Sequence, residues 1–244
     1  TVIIADDGVV FTCDQDNNTS QKAYPRATDP ASGSARNITA VTGTTITVNV
    51  GAVPIDEYAS IATSTDFGFG TSDFTVECWI NPTSVAAGGK AIFDFRTAAT
   101  ELSPYVYLDG AVVKYYVNGA DVITGATNLV AGTWYHVAVC KSGSTTKLFL
   151  NGVQQGSDYS DSNNYGSTKP IRIGADYNAT SVFAGYVDEF RVSTSARYAS
   201  AFSAPTGINQ GDSNTVLLLH FDGDNYQTWT EDWSGEQNWT NGHE

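Results

Sequence analysis

The chain has 244 residues, 41% of them hydrophobic and 16% charged, with 26 acidic against 12 basic side chains and a formal charge of −14. That length suits one large β-sandwich or two smaller domains, and it can bury enough apolar surface to fold without a metal or disulfide staple. The negative field repels phosphate backbones and anionic lipid, which sets nucleic acid and membrane aside as direct partners, and the longest strongly apolar run, Val216–Leu219, is far too short to span a bilayer.

Residues 1 to about 55 are rich in Thr, Asp and Asn and read as a small β-rich module. Its turns fall at Tyr24-Pro25 and Asp29-Pro30, and Ile46, Val48 and Val50 alternate within a strand over Thr44–Val50. A second zone, residues 56–208, carries denser strand signals. Phe74, Val76, Cys78 and Ile80 share one face of the strand Phe74–Ile80, with Thr75, Glu77 and Trp79 on the other. Asp109-Gly110, Asn118-Gly119 and Asn151-Gly152 are hairpin turns, because such pairs tolerate positive φ at both turn positions. They join Tyr105–Leu108 to Ala111–Tyr116 and close the strands Lys114–Val117 and Lys147–Leu150. Trp134–Cys140, Ile171–Gly174 and Gly185–Val192 are further strands, and Ser195–Phe202 is expected to form one short helical turn. The third zone, 209–244, holds a polar linker at Asn209–Asn214, one strand at Thr215–Phe221 and a tail rich in Trp and acids. Many short strands at regular spacing predict an all-β antiparallel sandwich or barrel.

The three cysteines, Cys13, Cys78 and Cys140, show no CxxC spacing, which argues against zinc. They read as buried free thiols, with a Cys78–Cys140 bridge as the alternative. The chain begins at Thr1 without Met or an apolar leader and reads as a piece of a longer polypeptide.

Several runs together resemble the laminin-G-like, concanavalin-A-type jelly roll. They are Asp66–Pro82 (DFGFGTSDFTVECWINP), Gly132–Val139 (GTWYHVAV), Leu148–Val153 (LFLNGV), Ile171–Gly174 (IRIG) and Gly185–Val192 (GYVDEFRV), in that order. The resemblance implies two antiparallel sheets packed face to face, preceded here by the small β-rich N-terminal module. The narrower resemblance is to structural proteins of tailed, often marine, phages. It rests on Phe11–Asp14, Tyr24–Arg26 and Thr44–Gly51 beside the jelly roll. One feature departs from the family. Its opening strand, of the type LLLHFDG, is missing ahead of Tyr58 and stands instead at Leu217–Gly223. That strand is expected to fold back beside Gly185–Val192, since a missing strand leaves a bare sheet edge. The alternatives are a following module or a neighbouring subunit.

Glucanases of this fold carry carboxylates alternating on one strand as E-x-D-x-x-E. Here Glu77 stands alone and Asp188 and Glu189 are adjacent, hence on opposite faces. His136 and His220 sit mid-strand among apolar neighbours and read as structural, and His243 lies in the tail. The chain is therefore expected not to be an enzyme. Family sandwiches often hold Ca²⁺ at the rim. The resemblance implies Asp188 with Asp222, Asp224 and Asn225 as candidate ligands, and Asp176 in the Asp-Tyr-Asn loop as a second choice. Tyr rings stack on sugar faces and Asp and Asn bond hydroxyls. The loops carrying Asp158, Tyr159, Asp161, Asn163, Asn164 and Tyr165, and Tyr177 with Asn178, are thus candidate glycan contacts. Trp229, Trp233 and Trp239 in the tail need cover and are candidate assembly contacts.

The expected function is that of a non-catalytic virion component, a fibre, decoration or adhesion protein. Its partners would be other virion subunits of the capsid or tail, in a homo-oligomer, with host surface glycan as a further contact. The alternative is a secreted bacterial carbohydrate-binding module, and a glycosidase with an unrecognised site is the third.

Overall fold

The computed structural model describes residues 58–221 in full, preceded by the backbone of four short strands, β1 (Val2–Ala5), β2 (Gly8–Phe11), β3 (Ile38–Thr39) and β4 (Ile46–Asn49). The chain continues with β5 (Tyr58–Ser64), a 3₁₀ turn at Thr65–Phe67, β6 (Phe74–Pro82), β7 (Lys90–Asp94) and β8 (Tyr105–Asp109). Then come β9 (Val112–Val117), β10 (Ala120–Thr124), β11 (Tyr135–Ser142), β12 (Thr145–Leu150) and β13 (Val153–Ser160), and finally β14 (Lys169–Ile173), β15 (Gly185–Ser193) and β16 (Thr215–Leu219). The first sheet runs β10-β9-β8-β7-β14-β5-β4 and the second β13-β12-β11-β6-β15-β16-β3. This is the expected antiparallel two-sheet jelly roll.

Period-two patterning builds the core. Phe74, Val76, Cys78 and Ile80 point between the sheets with Val137, Val139, Phe190 and Val192, facing Phe93, Val106 and Ile171 of the first sheet, all fully buried. The same parity decides the thiols. Cys78 lies opposite Val137, and Cys140 opposite Thr75, so the two sulfurs project from opposite faces of one sheet. Both are free and buried.

Two of the expected hairpin turns form as read. Asn118-Gly119 and Asn151-Gly152 have positive φ at both positions (51° and 88°, 50° and 78°). The third shifts by one residue. Asp109 pairs with Val112, so the turn is Gly110-Ala111, with only Gly110 at positive φ (59°). That is the primed turn with Gly first.

Ser195–Phe202 does not form a helix. The segment is an irregular strap with several bends, lying over the outer face of the second sheet. Thr75 Oγ1 donates to Ser195 O (2.8 Å), Arg197 N donates back to Thr75 Oγ1 (2.9 Å), and Arg197 forks onto Asp212 (2.7 and 2.9 Å). Tyr198 and Phe202 stack at 3.6 Å and cover Ala138, Cys140 and Phe149. Those side-chain bonds replace the ladder that a helix would have supplied. Gly152 fits beneath the strap, because a Cβ there would stand 1.9 Å from Phe202 O. Gly152→Ala is expected to cost at least about 2 kcal/mol from that clash and its positive φ, read as a drop of about 5 °C or more in melting temperature. Gly143→Ala, at φ 56° in open space, should cost clearly less.

β16 lies in the second sheet, antiparallel to β15, with Leu219 opposite Phe190 and Leu217 opposite Val192. The displaced family strand thus covers that edge of β15 within the same chain.

Candidate functional site

The outer face of the first sheet carries a continuous polar and aromatic row. Register places Ser60 beside Arg172, Arg172 beside Asp94, Asp94 beside Tyr105, Tyr105 beside Tyr116 and Tyr116 beside Asp121. Directly paired residues share a face, so the row crosses the sheet from β5 to β10. Tyr107 and Lys114 form the next pair along. Their alternates Val106, Leu108, Val113 and Tyr115 point inward and are buried.

Arg96, just beyond β7, ties the rings together. Its guanidinium lies 3.9 Å from the Tyr105 ring centre, 4.9 Å from Tyr116 and 5.1 Å from Tyr177. It forks onto Asp94 (Nε–Oδ1 2.9 Å, Nη2–Oδ2 2.7 Å) and donates through Nη1 to Ala99 O (3.1 Å). Burial works against its charge, but bonding to Asp94 more than offsets this and raises its pKa. Tyr177 N also donates to Asp94 (2.8 Å), which brings the loop after β14 onto the face.

Tyr105 is buried, and Tyr107 stacks beside it at 4.9 Å and 10°. Tyr107, Tyr116 and Tyr177 are half-buried and keep ring surface open to solvent. The Tyr107 hydroxyl donates to Asp121 (2.6 Å) and that of Tyr116 to Ala99 O (3.2 Å), so both rings are held in place. Burial and the bond to Asp121 push the Tyr107 phenol well up, which keeps it a protonated donor. Lys114 bridges Asp109 (2.9 Å) and Asp121 (3.0 Å). The result is a tyrosine platform whose central cations, Arg96 and Lys114, are already paired.

On the second sheet, Glu77 of β6 is fully buried under the strap. It accepts from Arg191 Nε (2.8 Å) and Tyr198 Oη (2.7 Å) and pairs with His136 Nε2 (3.0 Å). Burial raises its pKa, but the bond to His136, the Arg191 charge and Tyr198 outweigh that, and the net shift is downward from 4.5. A carboxyl lowered in the folded state stabilises above its unfolded value and loses that contribution as pH falls through its folded value. The melting temperature is therefore expected to fall progressively below about pH 4.5, and a flat acid limb would contradict this. Glu189 sits at a bulge with φ 51°, where Asp188 pairs with Trp79 but Arg191 pairs with Glu77. Its carboxylate turns to His220 Nδ1 (3.0 Å) and Asn209 N (2.7 Å).

The residues singled out from sequence scatter. Asp161 and Tyr165 are fully buried, so they are not open to a sugar. Tyr165 Oη and Thr146 Oγ1 each donate to Asp161 Oδ2 (2.6 Å), and the Tyr165 ring packs edge-on to Phe74 in the core. The polar composition of this loop suggests contact with hydroxyls, whereas the loop folds inward around a satisfied buried carboxylate. Asn163 bonds Asp161 and Tyr159, and Asn164 caps Gly166 N. Asp158 lies within β13 and accepts from Gln154 (2.7 Å). Asp176 accepts from Thr180 N (2.7 Å) and Ser181 N (3.0 Å), and Asn178 donates to it in the amide orientation that satisfies both groups. Asp188 is on the outer face of the second sheet, opposite Trp79. Among the described residues no group of three or more His, Cys, Asp and Glu could hold a metal. Asp222, Asp224, Asn225, Trp229, Trp233 and Trp239 lie outside the described residues.

The family profile described as the concanavalin A-like lectin/glucanases superfamily matches residues 55–203. The chain belongs to that superfamily. Among solved structures, this superfamily member is similar to a putative carbohydrate binding protein from Bacteroides ovatus, at 19% identity and a TM-score of 0.52, over 80% of this chain and 53% of that one. It is also similar to the enzymatically active domain of tailspike protein 2 of bacteriophage CBA120, at 12% identity and a TM-score of 0.50, over 77% of this chain and 32% of that one. The chain thus spans about half of the first neighbour and a third of the second, and both likenesses are of fold. No curated protein matches it.

Of the platform of this sandwich, sequence reasoning found only Tyr177. It missed Asp94, Arg96, Tyr105, Tyr107, Lys114, Tyr116 and Asp121. A signal was present. Tyr105 and Tyr107, then Lys114 and Tyr116, occupy the polar parity on both sides of one turn, which puts two Tyr-bearing strands side by side.

Proposed function

We propose that this chain is a non-catalytic carbohydrate-binding module that takes an uncharged glycan on the outer face of its first sheet. The tyrosine platform of Tyr107, Tyr116 and Tyr177, fixed around Arg96, is the observation that carries the reading. Ring faces stack on the C–H faces of sugars, and the carboxylates of Asp109 and Asp121 at its edge accept from hydroxyls. Arg96 and Lys114 are neutralised by Asp94, Asp109 and Asp121, so the centre of the platform offers little to a carboxylated or sulfated chain. The fold of the Bacteroides ovatus neighbour, described as a putative carbohydrate binding protein, supports this at the level of architecture. The absence of catalysis is supported by the state of Glu77, which is sealed under the strap and held by Arg191, His136 and Tyr198.

The test is titration with neutral and anionic oligosaccharides. Neutral chains are expected to bind, and Tyr107→Ala with Tyr116→Ala to weaken binding on the order of thirtyfold, as for loss of a hot spot of about 2 kcal/mol. A preference for anionic chains, or no binding at all, would sink the reading. Affinity at this face is expected to survive a chelator, because Asp176 spends its oxygens on its own loop. Where the module acts is a second proposal. The N-terminal motifs favour a tailed-phage virion over a bacterial surface protein. Sibling modules in the complete polypeptide would support the virion, and a catalytic or wall-anchor domain would overturn it.

A further inference from the structure

The second sheet also has aromatic rings on its outer face, at the end the strap leaves uncovered. Trp79 and Asn81 share the outward parity of β6 with Thr75 and Glu77. Register sets Trp79 between Asp188 of β15 and His136 of β11, and sets Asn81 beside Tyr186. Trp134 immediately precedes Tyr135, the partner of Ile80, so it falls on the other flank of Asn81. The Trp134 and Tyr186 rings approach across β6 to 6.4 Å, tilted by 40°. Trp79, Trp134 and Tyr186 are each half-buried and retain accessible ring surface.

Asn81 itself is only 5% exposed, and its Oδ1 is buried without a hydrogen-bond partner. An unpaired buried acceptor costs stability, and buried polar atoms are otherwise almost always bonded. A leucine shares its branched outline and carries no such acceptor. The half-accessible rings around the amide supply what the acceptor lacks in the free protein, a surface on which a hydroxyl-bearing ring can sit.

We propose that Trp79, Trp134, Tyr186 and Asn81 form a second sugar site, on the sheet opposite the tyrosine platform. A pyranose stacks its C–H face on the indole and phenol rings, and a small outward turn of the Asn81 side chain brings Oδ1 to one hydroxyl. The ligand class rests on the carbohydrate reading above, whereas the site shares no residue with the first. A module with a site on each sheet bridges two glycan chains.

Asn81→Leu in the full chain is the deciding variant. Cellohexaose, maltohexaose and galactohexaose serve as probes, and binding is read by calorimetry and tryptophan fluorescence. Tyr107→Ala with Tyr116→Ala silences the first sheet, and binding of a probe is expected to persist in that background. Adding Asn81→Leu or Trp134→Ala should weaken the remaining binding by on the order of tenfold. Asn81→Leu alone should leave the melting temperature unchanged or raise it, since it removes an unpaired amide. A lowered melting temperature would show that the amide serves the fold and would overturn the proposal. So would a background that binds nothing while the wild type binds, which leaves the first-sheet reading intact. Background binding indifferent to both substitutions overturns it as well. Failure of every probe on the wild type removes both sites.

Discussion

Replacing Glu77 with Gln is expected to destabilise the protein by about 3–5 kcal/mol, the cost of removing one partner from a buried ion pair. Arg191 and His136 would keep their places under the strap without the carboxylate they share. Each kcal/mol corresponds to roughly 2–4 °C in a chain of this size, so the melting temperature should fall by about 10 °C. The substitution should also make the acid limb shallower, since Glu77 is one of the carboxyls with a lowered pKa, beside Glu101, Asp109 and Asp212. Glu77→Leu combined with Arg191→Met should recover much of the loss, because an apolar replacement of the pair leaves no unpaired charge. Thermal melts of the single and double variants between pH 3 and 7 check both effects. A single variant within about 1 kcal/mol of the wild type would show that the network contributes nothing to stability.

Arg96→Lys is expected to leave the protein folded but to weaken binding of neutral glycan on the order of tenfold. A lysine can neutralise Asp94 as a point charge. It cannot present the planar guanidinium that lies against Tyr105, Tyr116 and Tyr177. Arg96 is a positioning residue. Its guanidinium is turned to Asp94 and Ala99 O, so it acts on a sugar through the rings it holds. Calorimetry against the best neutral probe, with the melting temperature measured in parallel, separates the two roles. Unchanged affinity would mean that the tyrosines hold their arrangement without it. Arg96→Ala is the harsher comparison. It strips the buried Asp94 of its cation and should cost about 3–5 kcal/mol, so its binding loss reports partly on the fold.

Much of the architecture was legible along the chain because strands obey a local rule. Phe74, Val76, Cys78 and Ile80 are inward in the fold as their alternation requires. Thr75 and Glu77 are buried as well, which alternation did not show. They are covered by a segment 120 residues away in sequence, where Thr75 meets Ser195. The same distance defeated the helical turn at Ser195–Phe202. Its backbone is satisfied by Thr75 and Cys140, groups no local pattern reveals. Polar loop composition misled in the opposite direction at Asp161 and Tyr165. Carboxylate and phenol can pair with each other and enter the core, and nothing in the composition of the loop distinguishes that from solvation.

By itself, the sequence determined an acidic, all-β sandwich of the concanavalin A-like superfamily with its hairpins nearly in place. Those properties follow from side-chain parity, turn chemistry and recognisable strand motifs, each confined to a few neighbouring residues. Tertiary structure alone decided which side chains gather on one face. Asp94 and Arg96 of one strand end, Tyr105 and Tyr116 of a hairpin and Tyr177 of a distant loop become one platform only through cross-strand register. Register also set the displaced strand Thr215–Leu219 against β15 and left Asn81 unpaired between two rings. Such contacts depend on which strands become neighbours, and that is settled by burial across the whole sandwich.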